Sequence, residues 1–415
     1  MKLSFGYDNR SENVEVPDAN LQAVLQPGEM KADESEQQIV ADSLANPIDS
    51  PMLREIVKPG EKIVILTSDI SRPMPTWHVM PTLLDELYAA GCKPDDITLI
   101  FGRGVHREQT DSERLHLAGV RAFNEITCID SDPDDFVTLG ETSSGTTVEV
   151  MRQVVEADRR ICLGNIEFHY FAGYSGGYKA IMPGMSTRNS IKGNHRHMVE
   201  EESYAGHLEG NPVRMDIEEA GRMVGCDFIV NVVLDPHKHI VKSFAGDPIA
   251  AHRAGCRFLD SFYLLPIEKR ADIVLVSQGG APKDANLYQT QKALENAKHA
   301  VREGGIIILI GCCKEGYGED TFETWFKEAA KPSEIVDRLH ADFTLGGHKA
   351  AAIALVEEKA SIYFVSEWTR PQTKGVFMEK YDNAQQALDV AFYKLGRDAQ
   401  VIAMPFGGST LPKEM

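Results

Sequence analysis

The sequence predicts an α/β protein of two domains, each built on a mainly parallel sheet, with a cofactor and substrate cleft between them. Three observations carry that expectation. Short β-rich apolar runs alternate with amphipathic helical stretches along almost the whole chain, the rhythm of β/α repetition. The runs are continuously apolar, as in strands covered by helices on both faces. A length of 415 residues also exceeds what one simple core serves.

Taken in order, Lys62–Ser68 (KIVILTS) and Asp96–Phe101 (DITLIF) read as buried strands. A helix from about Thr76 to Ala90 lies between them, with Pro75 before it and Gly91 at its end. Further strands are expected at Ile161–Asn165, Phe228–Leu234, Asp272–Ser277, Ile306–Ile310, Ser361–Val365 and Val401–Met404. A boundary is expected near Pro266–Arg270, where LLPIEKRAD separates a helix-like segment from a new strand. The first domain would hold residues 1–268 and the second 269–400, with 401–415 a tail strand returning to either. In such folds ligands sit at the C-terminal ends of strands, so functional residues should follow strands directly.

Hydrophobic residues make up 43% and charged residues 25%, an ordinary globular balance. The net charge of −19 repels nucleic-acid backbones and anionic membranes and argues against both as partners. A few local Arg and Lys residues still suffice for an anionic small substrate. No apolar run approaches the roughly 20 residues that span a bilayer, and the opening MKLSFGYDNRSENVEV reads as a strand, not a signal peptide. Cys92, Cys128, Cys162, Cys226, Cys256, Cys312 and Cys313 show no CxxC and no framework spacing. Reduced thiols in a cytoplasmic protein are the expectation.

Five clusters carry chemistry. After KIVILTS come Asp69, Ser71 and Arg72. Asp69 and Arg72 can form a local ion pair, or Arg72 can receive an anionic group near a helix N-terminus. After DITLIF come Gly102-Arg103-Gly104-Val105-His106-Arg107, where two glycines let the backbone approach a ligand and His106 projects from the strand end.

The third cluster says most. It runs from His169 to Lys179 (HYFAGYSGGYK), includes Gly173, Ser175, Gly176 and Gly177, and is followed by Asn194-His195-Arg196-His197. Glycine-rich turns expose N–H groups suited to phosphate, and a lysine just beyond can bond to a cofactor. Imidazoles so near one lysine supply both metal ligands and acid/base groups.

The fourth cluster follows DIVLVSQ: Gly279-Gly280-Ala-Pro-Lys-Asp284, then Tyr288, Gln289 and Lys292. Gln289 and Lys292 share a helix face and can hold a carboxylate or simply face solvent. The fifth, Leu345-Gly-Gly-His348-Lys349-Ala350, places two glycines before a histidine and can line a pocket.

On the residues alone, three other readings stand beside a cofactor-bearing isomerase. Lys179 can be a Schiff-base lysine for pyridoxal phosphate, although that leaves the histidines unexplained. His106, His169 and His195 can serve a zinc hydrolase, although no HExxH-type spacing occurs. The chain can also be a two-lobed, non-catalytic sugar-acid-binding protein.

Together the clusters resemble the nickel-dependent lactate racemase family. The matching pieces are DxxR (Asp69, Arg72), GxHR (Gly104, His106, Arg107), HxFAGYSGGxK (His169 to Lys179), NH (Asn194, His195), FAGDP (Phe244 to Pro248) and YQxxK (Tyr288, Gln289, Lys292). The glycine–lysine motif with its flanking histidines is the specific one.

The resemblance implies a racemase or epimerase of a small 2-hydroxy acid with a nickel pincer nucleotide joined covalently to Lys179. It implies His195 as nickel ligand, His106 and His169 as general acid and base on opposite faces, and Arg72, Gln289 and Lys292 on the substrate carboxylate. Asp69 and the Gly173–Gly177 loop fall at the cofactor, and Tyr288 and His348 at the substrate. Separate biosynthetic proteins in the same cell would supply the cofactor. The chain differs from the lactate enzymes at Tyr178 and in the LGGHKA stretch, which points to a larger or more polar acid than lactate, such as a sugar acid.

Overall fold

The computed structural model describes the chain from Met1 to Met415 except Val105, Pro236, Asp342 and Leu345. The chain forms two compact units: one is Glu29–Leu259, and the other joins Met1–Gly28 to Asp260–Met415. The sequence reading placed residues 1–268 together, but the first 28 belong with the C-terminal unit. The reason is strand pairing: Leu21–Val24 adds in parallel to Val401–Met404 at the edge of that unit's sheet, and Phe5 and Val14 of an N-terminal hairpin enter its core. The tail packs there as well, Leu411–Glu414 pairing with Leu264–Ile267.

The Glu29–Leu259 unit is built on six strands. Their order across the sheet is Ile240–Gly246, Phe228–Leu234, Arg159–Asn165, Ile63–Ser68, Ile97–Gly102, Thr127–Asp130. All pairings are parallel except the Phe228–Leu234/Ile240–Gly246 hairpin. Ile63 through Thr67 are all buried, because helices cover both faces, and so both sets of alternating side chains are apolar. Ile63, Ile65, Leu99, Phe101 and Ile161 pack with Leu83, Leu84 and Leu87 of the helix Thr76–Ala89 in one core.

Register matters for the site. Ser68 lies opposite Gly102, and Leu66 opposite Cys162. The segments that leave after Ser68, Gly102 and Asn165 therefore emerge at the same sheet edge, and they carry Asp69, His106 and His169.

The other unit holds six strands, all parallel, in the order Glu379–Tyr381, Ser361–Val365, Val301–Ile310, Ala271–Ser277, Val401–Met404, Leu21–Val24. Asp284, buried just beyond the Ala271–Ser277 strand, accepts the N–H groups of Asp8 and Cys312 at 2.8 and 3.0 Å. That side chain ties three loops together at the C-terminal strand ends.

Candidate active site

Asp69 is buried at the end of the Ile63–Ser68 strand. Its Oδ2 lies 2.7 Å from His106 Nδ1, and its Oδ1 accepts the Ser71 hydroxyl at 2.6 Å. The spacing also allowed an ion pair with Arg72, but the carboxylate is given to His106, while Arg72 closes the turn through its backbone N–H to Asp69 O at 3.2 Å and leaves its side chain exposed. Burial alone would raise the Asp69 carboxyl, yet the bonds from His106 and Ser71 outweigh it and hold the group below the ordinary carboxylate range. An ionised Asp69 beside Nδ1 makes that nitrogen the donor, so the lone pair of neutral His106 sits on Nε2. The turn is braced from behind: Ile70 N–H donates to Gln109 Oε1 at 3.0 Å, and Gln109 is held by Asp130.

Gly102 has a steric task. A Cβ there would fall about 3 Å from the backbone of Gly184 (2.9 Å to its oxygen), so only glycine lets the His106 loop close against the loop that carries Lys179. Val105, within the same sequence cluster, lies outside the described residues.

His169, Lys179 and His195 meet around one ring that sequence reading gave no role. The Phe171 centroid lies 4.5 Å from His169 and 4.9 Å from His195, both edge-on, and Lys179 Nζ is 5.9 Å from it. His169 Nδ1 accepts the Ala172 N–H at 3.3 Å, so in the neutral ring the proton sits on Nε2. Burial, then the charges of Lys179 and Arg72, hold its imidazole well below the usual range. Lys179 is treated likewise: burial first, then Arg214 and Arg72, pull its ammonium well down, toward the nucleophilic amine.

His195 ends the helix Arg188–His195, and its Nδ1 lies 3.1 Å from Asn194 Oδ1. The Asn194 amide has one sensible orientation, because its Nδ2 donates to Val213 O at 3.1 Å. Oδ1 must then accept from His195 Nδ1–H, which puts the lone pair of this imidazole on Nε2.

The glycine loop is built inward. Gly177 N–H donates to Asn231 Oδ1 at 2.8 Å, Ser175 N–H to Glu167 O at 2.9 Å, and Ser175 Oγ to Asn165 O at 2.6 Å. Gly173 has φ +74°, and a Cβ there would lie 2.0 Å from His207 O. Ser175 and Gly177 thus spend their N–H groups on closing the loop, and Gly173 its missing side chain, where the sequence reading expected N–H groups suited to phosphate. Two further buried side chains clamp it. Arg214 donates to the carbonyls of Ala172 (3.2 Å), Tyr174 and Gly176 (3.5 Å), and its burial pulls the guanidinium down to about 10. His252 reaches Ser175 O with Nε2 at 2.8 Å. The only sequence hint of Arg214 was a cation within the apolar pattern of the helix Pro212–Val224.

In the other unit, Gln289 and Lys292 are exposed on the helix Leu287–Ala297, whose N-cap Asn286 accepts Gln289 N–H at 3.0 Å. Tyr288 is half-buried, its ring edge-on to Phe322 at 5.5 Å, with Lys349 Nζ 3.8 Å from its centroid. His348 is buried, accepts the Gly346 N–H at 3.0 Å and is pushed down to about 3 by burial and by Lys349. Gly346 and Gly347 pack closely on their neighbours: added Cβ atoms would lie 2.1 Å from Glu319 Oε2 and 2.3 Å from the Trp325 indole. Leu345 of this stretch lies outside the described residues.

Among the described residues no three His, Cys, Asp or Glu side chains converge as a metal cluster. His106, His169 and His195 thus do not form such a cluster.

Residues 7–206 match the lactate racemase N-terminal domain family and residues 267–411 the lactate racemase C-terminal domain family. The chain is 32% identical to the lactate racemase of Thermoanaerobacterium thermosaccharolyticum over 96% of both chains, and 31% identical to that of Lactiplantibacillus plantarum over 99% of both. The solved lactate racemase apoprotein from T. thermosaccharolyticum superposes with a TM-score of 0.88 at 30% identity, covering 100% of each chain. A Thermotoga maritima protein shares the fold at 17% identity and a TM-score of 0.61. The chain belongs to the lactate racemase family and is an isomerase. No helix among the described residues is long and apolar enough to cross a membrane, and no disulfide joins any of the seven cysteines.

Proposed function

We propose that this enzyme racemises lactate or a close 2-hydroxy acid at C2, with a nickel pincer nucleotide joined to Lys179 and ligated by His195, and with His106 and His169 as acid and base. The observation that carries the reading is the grouping of His169, His195 and Lys179 around the ring of Phe171. The donors present fit the cofactor: a depressed, nucleophilic amine and a single imidazole whose Nδ1 is already engaged match a group that brings its own remaining metal ligands. When bound, such a group supplies a carbon that takes up and returns the C2 hydride.

The rest falls to this chain. His106, its Nδ1–H held by Asp69, takes the hydroxyl proton on Nε2 as C2 flattens to the keto acid. His169 takes the acid role as an imidazolium, returning a proton to the other face and being left neutral. One base and one acid serve one direction, and the exchanged state serves the reverse. Arg72, Tyr288, Gln289 and Lys292 are proposed for the substrate. His348 is given no direct contact with the substrate in this proposal, because it is buried and bonded within its own turn, and a sugar acid or other larger 2-hydroxy acid stands beside lactate as a substrate to test. We also place the enzyme in the cytoplasm, supplied with cofactor by separate biosynthetic proteins.

The test is intact-mass and nickel analysis of protein made with and without that biosynthetic pathway, with single-enantiomer lactate and sugar acids followed by chiral chromatography. The expected result is an adduct on Lys179, about one nickel per chain, and racemisation only in the loaded protein. Active protein with an unmodified Lys179 would overturn the reading.

A further inference from the structure

Three elements converge behind His195. The helix Arg188–His195 brings Asn194, the helix Pro212–Val224 brings Asp216, and the turn between the strands Phe136–Glu141 and Thr147–Met151 brings Thr142 and Thr146. Asn194, Asp216 and Thr146 are all buried to within 1%. Asp216 Oδ1 accepts the Thr142 hydroxyl at 2.5 Å, and Oδ2 accepts the Thr146 hydroxyl at 2.9 Å and Asn194 Nδ2 at 2.8 Å. Thr142 Oγ1 already takes the Thr146 N–H at 3.1 Å, so its own hydrogen points at Asp216. Both carboxyl oxygens therefore accept, and the group is a carboxylate held by hydroxyl and amide donors.

A buried carboxylate in that position cannot tolerate the Asn194 carbonyl facing it. The amide is locked with its NH₂ toward Asp216 and its oxygen toward His195 Nδ1 at 3.1 Å. Without Asp216, only Val213 O would oppose a flip, and a flipped amide would offer N–H to Nδ1 and move the imidazole proton to Nε2.

We propose that Asp216 is a positioning residue for His195: acting through Asn194, it holds His195 as the Nδ1–H tautomer so that Nε2 is the nitrogen presented to a bound metal. The site it serves rests on the nickel reading above, whereas the tautomer is a property of the chain alone. Asp216 touches neither substrate nor metal, and the sequence showed it only as one acid in VRMDIEEAGRMV.

Two measurements test it. In the apo protein, imidazole ¹⁵N NMR, with His195 assigned by loss of its signals in His195→Gln, should show the Nδ1–H tautomer in wild type and a mixture in Asp216→Asn. In loaded protein, Asp216→Asn should keep the Lys179 adduct by mass and lose nickel to a chelator roughly 10–100-fold faster, the range typical of lost outer-shell support. Should Asp216→Asn fail to fold, Thr146→Val, which removes one donor from Oδ2, should shift both readouts the same way to a smaller extent. Asn194→Ala should match Asp216→Asn in nickel loss, and the double variant should be no worse than Asn194→Ala, because the two act in series. An unchanged tautomer in folded Asp216→Asn, or additive effects in the double variant, overturns the proposal. A wild-type protein without nickel overturns the cofactor reading instead, and the apo tautomer then decides the role of Asp216.

Discussion

Asp69 Oδ2 and His106 Nδ1 stand 2.7 Å apart, and that contact decides which nitrogen of neutral His106 keeps its lone pair. Replacing Asp69 with Asn keeps the shape but lets the amide offer N–H to Nδ1, which favours the wrong tautomer. Racemisation by Asp69→Asn should fall at least about 10²-fold, the lower end for a positioned acid or base, with the Lys179 adduct still present by mass. His106→Ala and His169→Ala should each abolish both directions. A loss of only a few-fold in Asp69→Asn would reduce the contact to packing.

The loop that carries Lys179 depends on Gly173. With φ at +74° and His207 O where a Cβ would go, Gly173→Ala must both strain the backbone and displace the 204–207 turn. Left-handed strain alone costs about 1–3 kcal/mol, and the clash adds to it. Thermal or urea unfolding of apo Gly173→Ala should show at least that loss, with poor loading of Lys179. Wild-type stability in this variant would refute the close approach.

Acid should loosen the fold through its buried histidines. Burial, then Arg214, holds His252 well below a free imidazole, and burial acts likewise on His169 and His299. The unfolded chain therefore binds more protons once pH drops below its pKa of about 6.5, so stability is whole above that pH and declines beneath it. Each such residue contributes up to about 1.4 kcal/mol per pH unit. His252→Gln retains an N–H for Ser175 O but does not titrate, so its unfolding midpoint should fall less steeply between pH 6.5 and 5. Identical slopes would show that His252 does not drive the effect.

His348 supports its own helix start by accepting the Gly346 N–H. His348→Ala leaves that buried donor unpaired, at a cost of about 1–3 kcal/mol, and should lower the melting temperature while leaving the order of preferred 2-hydroxy acids unchanged. Arg72→Met should instead raise KM for every acid tested, since all share the carboxylate. A changed substrate order in His348→Ala would restore it to the substrate.

The parallel sheets were legible because a strand buried on both faces must be apolar at every position: KIVILTS and DITLIF announce themselves without neighbours. Closeness in sequence also led one to expect Lys179, His169 and His195 together, and the folded chain brings all three to the ring of Phe171. The Glu29 boundary was not, because Leu21–Val24 is a short edge strand whose partner, Val401–Met404, lies some 380 residues away in sequence.

What the sequence determined by itself was therefore the layered α/β class, the strand ends from which the functional loops leave, and the family. Tertiary structure alone decided which atoms those loops present. Asp69 turned from Arg72 to His106, Gly173 and Gly177 were spent on close packing, Gly347 came to pack on Trp325, and Phe171 became the ring that His169, His195 and Lys179 share. The reason is physical. Periodicity and composition report burial, which is a property of single positions. Hydrogen-bond direction and steric fit are relations between side chains that only the folded chain brings within 3 to 5 Å of one another.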